Sequence, residues 1–271
     1  MTKFIKVVIP AENEATQEIL IAQLSEIGYQ GFEEKESQLF AYIATGDFDL
    51  ASLKAITDLE KVKIEDVPEE NWNAVWESNF EPVVIDDFCT IRAHFHDIKV
   101  VTRYDILITP KMSFGTGHHA TTRSVIRLMR TQDLKEKVVL DFGTGTGVLG
   151  ILASMMGAER ITGIDNDEWC YTNAVENIEN NAIVNFAVVL GELEVVENDT
   201  YDVVLANINR NILLKYMEKL REVVKNNGCL LLSGILMEDK EVIVESATIN
   251  GFKLNAEISD NNWLALLFTK N

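Results

Sequence analysis

One segment constrains the fold of this 271-residue chain more than any other. An apolar run over 137–142 leads into Asp141-Phe142-Gly143-Thr144-Gly145-Thr146-Gly147, and the next apolar run ends at Asp165, 22 residues after Gly143. A glycine-rich turn directly after a strand lets backbone approach a bound molecule where a Cβ would clash. An acidic residue at the tip of the following strand is placed to accept hydrogen bonds from ribose hydroxyls. The pair predicts an α/β domain with a nucleoside site at the carboxyl ends of its strands.

The flanking sequence agrees with that domain. From about residue 110 the pattern is strand, loop, helix, repeated. Strands are predicted over 137–142, 160–164, 186–190, 201–206 and 229–233. Helices are predicted over 148–156, 168–180, 212–224 and 237–249, with a closing hairpin of 252–258 and 263–268 across Asp260-Asn261-Asn262. Alternating β and α elements imply a doubly wound, Rossmann-like parallel sheet, here with a C-terminal β-hairpin. The first 66 residues read differently: strand 4–9, helix 14–27, strands 31–35 and 39–45, helix 50–59, strand 62–67. That β-α-β-β-α-β order predicts a small α+β ferredoxin-like domain. Between the two lies a segment with Trp72, Trp76 and Phe80 spaced by four, one stripe of a helix. Residues 83–109 alternate apolar and polar and suggest strands, one of which would carry His94 and His96 on a single face. The expected organisation is thus 1–66, a connecting region 67–85, and 86–271.

Charge narrows the partners. There are 43 acidic and 24 basic residues, a net charge of −19, of which residues 1–66 carry −7. Such a surface repels phosphate backbones and attracts basic proteins or cationic small molecules, so no direct nucleic-acid partner is expected. Cys89, Cys170 and Cys229 are too few and too scattered for a disulfide framework or a zinc site. With no signal peptide and no apolar run of membrane-spanning length, a cytoplasmic protein is expected, with no membrane partner and no metal.

The glycines leave the nucleoside open. Gly143-x-Gly145-x-Gly147 is the spacing of adenosylmethionine-dependent methyltransferases, but Gly145, Gly147 and Gly150 also satisfy the dinucleotide fingerprint, with Asp165 at the offset an NAD-dependent oxidoreductase needs. Two further segments favour methyl transfer. Asn207 follows the apolar run 201–206, at the end where such sheets bind ligands; its side-chain carbonyl can accept from an amine, although a plain turn or helix cap is the ordinary alternative. Residues 113–122, Ser-Phe-Gly-Thr-Gly-His-His-Ala-Thr-Thr, form an unusual loop ahead of a helix predicted at 124–129. Thr121 or Thr122 would cap that helix on the simplest reading.

Phe114-Gly-Thr-Gly-His-His-Ala-Thr-Thr122, the glycine turn, Gly163-Ile-Asp-Asn-Asp167 and Asp202-Val-Val-Leu-Ala-Asn-Ile208 together resemble the bacterial methyltransferases that modify protein eleven of the large ribosomal subunit. The similarity spans nearly the whole chain. Members commonly have Thr-His-Pro-Thr-Thr where this chain has His118-His119-Ala120-Thr121-Thr122. The resemblance implies S-adenosyl-L-methionine as cofactor, held by Thr122, Gly143, Asp165 and Asn207, with Phe114, Gly145 and Gly147 beside them. It implies methylation of lysine ε-amines and the N-terminal α-amine of a basic ribosomal protein gripped by the N-terminal domain. Asn207 would position the amine, and His119 is a candidate proton acceptor. The alternatives are a methyltransferase of the same fold acting on another protein or small amine, the oxidoreductase, and an adaptor with a vestigial pocket.

Overall fold

This computed structural model describes residues 4–35, 37–66, 80–111, 114–196 and 199–271, and the chain divides into two units, residues 1–79 and 80–271. Trp72 and Trp76 lie outside the described residues.

The first unit runs β1 (Phe4–Pro10), α1 (Glu14–Glu26), β2 (Gly31–Lys35), β3 (Gln38–Ala44), α2 (Leu50–Ile56) and β4 (Lys63–Asp66). Its four strands form an antiparallel sheet in the order β2-β3-β1-β4. Alternate residues Ile5, Val7 and Ile9 of β1 and Leu39, Ala41 and Ile43 of β3 pack with Leu20, Leu24 and Leu53 from the two helices. The single helix expected over 50–59 is two elements. α2 stops at Thr57, and Asp58 caps a separate 3-10 turn, Leu59–Lys61, by accepting from the Glu60 N–H at 3.2 Å.

The second unit begins with β5 (Val83–Ile85), β6 (Cys89–Ala93) and β7 (Tyr104–Ile108), a three-stranded sheet. Phe80 and β5, expected in the connecting region, pack on this unit's core. β6 ends at Ala93, so His94 and His96 do not share a strand face. Instead the chain turns, and His96 Nδ1 accepts from the Ala93 N–H at 3.1 Å while its Nε2 meets the Phe80 carbonyl.

Then follow α3 (Ala120–Met129), β8 (Val138–Phe142), α4 (Val148–Met155), β9 (Arg160–Asp165), α5 (Glu168–Asn180) and β10 (Phe186–Leu190). β11 (Tyr201–Asn207), α6 (Arg210–Val223), β12 (Val224–Leu236), α7 (Lys240–Ile249), β13 (Phe252–Asp260) and β14 (Trp263–Lys270) complete it. The sheet order is β10-β9-β8-β11-β12-β14-β13; the first five are mutually parallel and β14 is antiparallel to both its neighbours. Both faces are covered, which is why these strands read as unbroken apolar runs. Val139, Val203, Leu205, Leu231 and Leu267 pack with residues of α3, α4 and α5. Their neighbours Leu140, Val204, Leu230, Leu232 and Phe268 pack with α6 and α7 on the other face. No helix among the described residues is long and apolar enough to cross a membrane.

Candidate active site

Strand order reverses between β8 and β11, since β8 leads out to β9 and β10 while β11 leads the other way to β12. In open α/β sheets the crevice at that point, at the strands' carboxyl ends, is where ligands bind. A cavity of about 520 Å³ lies there, walled by Phe142, Gly143, Ile164, Asp165, Asn207 and Ile208. Its size falls within the roughly 300–1,000 Å³ of small-molecule sites.

Two glycine loops pack against each other at its rim. Thr146 N donates to the Phe114 carbonyl at 2.9 Å, and Thr146 Oγ1 donates to the Gly115 carbonyl at 2.8 Å. Gly145 has φ +55°, and a Cβ there would meet the Phe114 carbonyl oxygen at 2.3 Å. Gly143 has φ +76°, and its Cβ would strike Ile208 Cγ2 at 2.2 Å. Both positions therefore require glycine twice over, for dihedral and for space. Gly147 is not on the cavity wall; it is the N-cap of α4. Gly150, third glycine of the dinucleotide fingerprint, packs under Phe186, where a Cβ would come within 2.3 Å of the ring.

Asp165 stands at the end of β9 on the cavity wall. Its Oδ2 accepts from the Gly145 N–H at 2.9 Å and its Oδ1 from the Asp167 N–H at 3.1 Å. The carboxylate is thus fixed from two sides, with lone pairs left for hydroxyl donors. Asp141, which sequence reasoning reads only as part of the glycine turn, is buried beneath it. Its Oδ2 accepts from Thr144 Oγ1 at 2.7 Å and from the Gly150 N–H at 3.1 Å, while Oδ1 has no donor. Burial pushes its carboxyl up to about 6, against the pull of those two hydrogen bonds and with a further push from the Asp165 charge.

Asn207 is the last residue of β11. Its Nδ2 donates to Thr122 Oγ1 at 3.3 Å, which orients the amide. Its Oδ1 is buried, and no described group donates to it. A buried acceptor without a donor costs about 1–3 kcal/mol, so an unfilled Oδ1 on a cavity wall is a group awaiting an N–H or O–H. Thr122 itself is fully buried and off the cavity wall; Thr121 lines it.

The loop before α3 departs from the expected layout. The helix starts at Ala120, four residues earlier than predicted, and neither threonine caps it. His119 does, its Nδ1 accepting from the Thr121 N–H at 3.4 Å and sharing a 2.8 Å hydrogen bond with Thr121 Oγ1. The His119 ring also meets Trp263 edge-on at 4.6 Å between centroids, and Phe114 at 5.3 Å. All three rings line the cavity. Trp263, Tyr216 and Glu192 are lining residues that the sequence did not single out. They lie on elements far from the glycine turn in sequence, and the one visible signal was Trp263 directly after the hairpin turn. The Tyr216 hydroxyl donates to the Glu192 carboxylate, and that hydrogen bond, with the Lys215 ammonium, holds the Glu192 carboxyl below its usual range against the Glu194 charge.

These residues fit an adenosyl cofactor: a glycine cradle that a Cβ would fill, a fixed carboxylate at the second strand tip, and an orphaned amide oxygen between them. The glycines alone satisfy both nucleoside fingerprints, and comparison with known proteins separates them. The model of the family described as ribosomal protein L11 methyltransferase (PrmA) matches residues 5–271. The chain is 40% identical over 265 residues to a ribosomal protein L11 methyltransferase of Porphyromonas gingivalis, covering 94% of this chain and 91% of that protein. It is 36% identical over 264 residues to the protein of that name from Chlorobaculum tepidum, covering 92% and 91%. Its fold resembles the crystal structure of ribosomal protein L11 methylase from Lactobacillus delbrueckii subsp. bulgaricus, with a TM-score of 0.67 at 25% identity over 71% of this chain and 100% of that one. With a match running from residue 5 to residue 271 and relatives of this identity over nearly the full length, the chain belongs to the ribosomal protein L11 methyltransferase family, whose methyl donor is S-adenosylmethionine.

Proposed function

We propose that this protein methylates lysine ε-amines and the N-terminal α-amine of ribosomal protein L11. The observation that carries the reading is the buried, donor-free Oδ1 of Asn207 on the cavity wall. When bound, S-adenosylmethionine supplies a methyl group on a sulfonium, which is a good leaving group. The residues that would hold it are Gly143, Gly145 and Asp165, with Phe114 at the rim.

The chain's task is then alignment rather than proton chemistry. A free lysine amine has a pKa of about 10.4 and an α-amine about 8, and only the neutral form attacks. A cavity walled by Phe142, Ile164, Ile208 and Trp263 disfavours the ammonium and favours the neutral amine. Asn207 Oδ1 accepts one amine N–H, and Thr122 fixes the amide so that the nitrogen lone pair is aimed. His119 Nδ1 accepts from the Thr121 N–H as the helix cap, so the neutral ring carries its hydrogen on Nε2 and can donate there rather than take the amine's proton. No general base is required in this scheme.

The N-terminal unit's role is docking. Its β-α-β-β-α-β order and β2-β3-β1-β4 sheet suit a ferredoxin-like scaffold, and its excess of acidic residues suits a basic partner. The same charge disfavours direct nucleic-acid binding, and three cysteines in thiol form suit the cytoplasm. Incubation with isotopically labelled S-adenosylmethionine and purified L11, followed by mass mapping, tests the reading. Label on lysine and N-terminal amines is expected, with turnover at saturating cofactor falling about 10–100-fold in Asn207→Ala. Unlabelled L11, or full turnover in that variant, overturns it.

A further inference from the structure

We infer that the Arg123–Asp260 ion pair is a positioning device that sets the aromatic wall of the amine site. The inference rests on the proposed function but concerns residues off the cavity wall.

Arg123 lies one turn beyond His119 on α3. Its guanidinium divides its donors between two elements. Nη1 donates to the His118 carbonyl, in the loop that carries His119. Nε and Nη2 both donate to Asp260 Oδ2, at 3.3 and 3.0 Å. Asp260 ends β13 and is paired directly with Trp263 across the turn of Asn261 and Asn262. One planar cation therefore clamps the hairpin tip bearing Trp263 to the loop bearing His119. Arg127 reinforces the same carboxylate at 3.7 Å and continues to Asp86 at 3.4 Å.

The partners are only 22% exposed, so the pair is shielded more than a surface ion pair, and the guanidinium fork suits this two-way contact as an ammonium does not. Gly143, Gly145 and Asp165 make none of these contacts. Breaking the clamp should free the Trp263 and His119 rings, which meet at 4.6 Å, without disturbing the cofactor cradle. Misplacing a positioning wall by about 1 Å is enough to lose up to about 100-fold in rate.

The test uses the full chain with L11 and S-adenosylmethionine. Asp260→Asn preserves size and turn geometry, and Arg123→Lys preserves charge while losing the fork. Each should lower kcat on L11 by about tenfold. The dissociation constant of S-adenosylhomocysteine, by calorimetry, should change less than about twofold. In a Trp263→Ala background, Asp260→Asn should lower kcat by less than about twofold, because the ring that the clamp holds against His119 is already gone. An equal loss in both backgrounds, an unchanged kcat in both single variants, or a cofactor affinity that weakens in step with kcat would each overturn the inference. Failure of the parent protein to methylate L11 would instead overturn the proposed function. Should Asp260→Asn not fold, Arg123→Lys in the two backgrounds reads the same coupling.

Discussion

Asp141 shows what a buried acid does to a glycine turn. Its carboxyl, ordinarily near 3.8, is raised to about 6 chiefly by burial. Between those values the folded chain holds a proton that the unfolded chain has released, so stability declines as pH rises through that window and stays lower above it. The melting temperature is expected to fall as pH rises from about 4 to above 6, and Asp141→Asn, which cannot titrate, should flatten that fall. Differential scanning calorimetry of the cofactor-free protein at several pH values measures it. Gly145→Ala sets a Cβ against the Phe114 carbonyl in a left-handed backbone, so it should lose about 2 kcal/mol or more and bind S-adenosylhomocysteine poorly. The glycines and Asp165 were legible in the sequence because they are contiguous with strands whose apolar runs mark their ends. Trp263 and Tyr216 were not, because sheet closure alone brings them to the cavity, and no local pattern encodes it.

At the scale of elements, α5 ties the glycine turn to the strand beside it. Asn177, fully buried, accepts from the Thr109 N–H at 2.7 Å and donates to the Thr146 carbonyl at 2.8 Å. Asn181 repeats the device one turn on, accepting from the Leu107 N–H and donating to the Leu107 carbonyl. Asn177→Ala strands one buried donor and one buried acceptor and should lose about 3 kcal/mol in urea unfolding, against about 1 kcal/mol for Asp167→Ala, which removes only the α5 cap. Helix cores and strands were readable from apolar period, and α5 was predicted at 168–180, its observed extent. The start of α3 was not, because a histidine cap after two glycines is not a pattern that propensity signals. The 50–59 break was missed for a related reason: Asp58 offers the backbone a local acceptor that competes with helix continuation.

For the whole molecule, the division at residues 79 and 80 makes a clean experiment. A chain of residues 80–271 carries every cavity-lining residue and should bind S-adenosylhomocysteine with parental affinity, measured by calorimetry. It should fail to methylate intact L11; retained activity would refute the docking role. Association of the full chain, at net charge −19, with a basic substrate should slow as salt rises, since screening acts over about 8 Å at physiological ionic strength. A flat dependence of kcat/KM on salt would remove electrostatic steering from the account.

The hairpin tip fixes one more thing. Asn261 and Asn262 both have positive φ, +48° and +68°, a pair of dihedrals that asparagine, aspartate and glycine adopt readily and β-branched side chains resist. A library randomised at these two codons and selected for growth-independent folding should therefore return a three-letter alphabet. A one-residue slip of β14 at this turn would carry Trp263 and every side chain after it to the opposite face of the sheet, trading Leu264, Leu266 and Phe268 of one core for Ala265 and Leu267 of the other, so an inserted codon is tolerated only where the turn itself absorbs it.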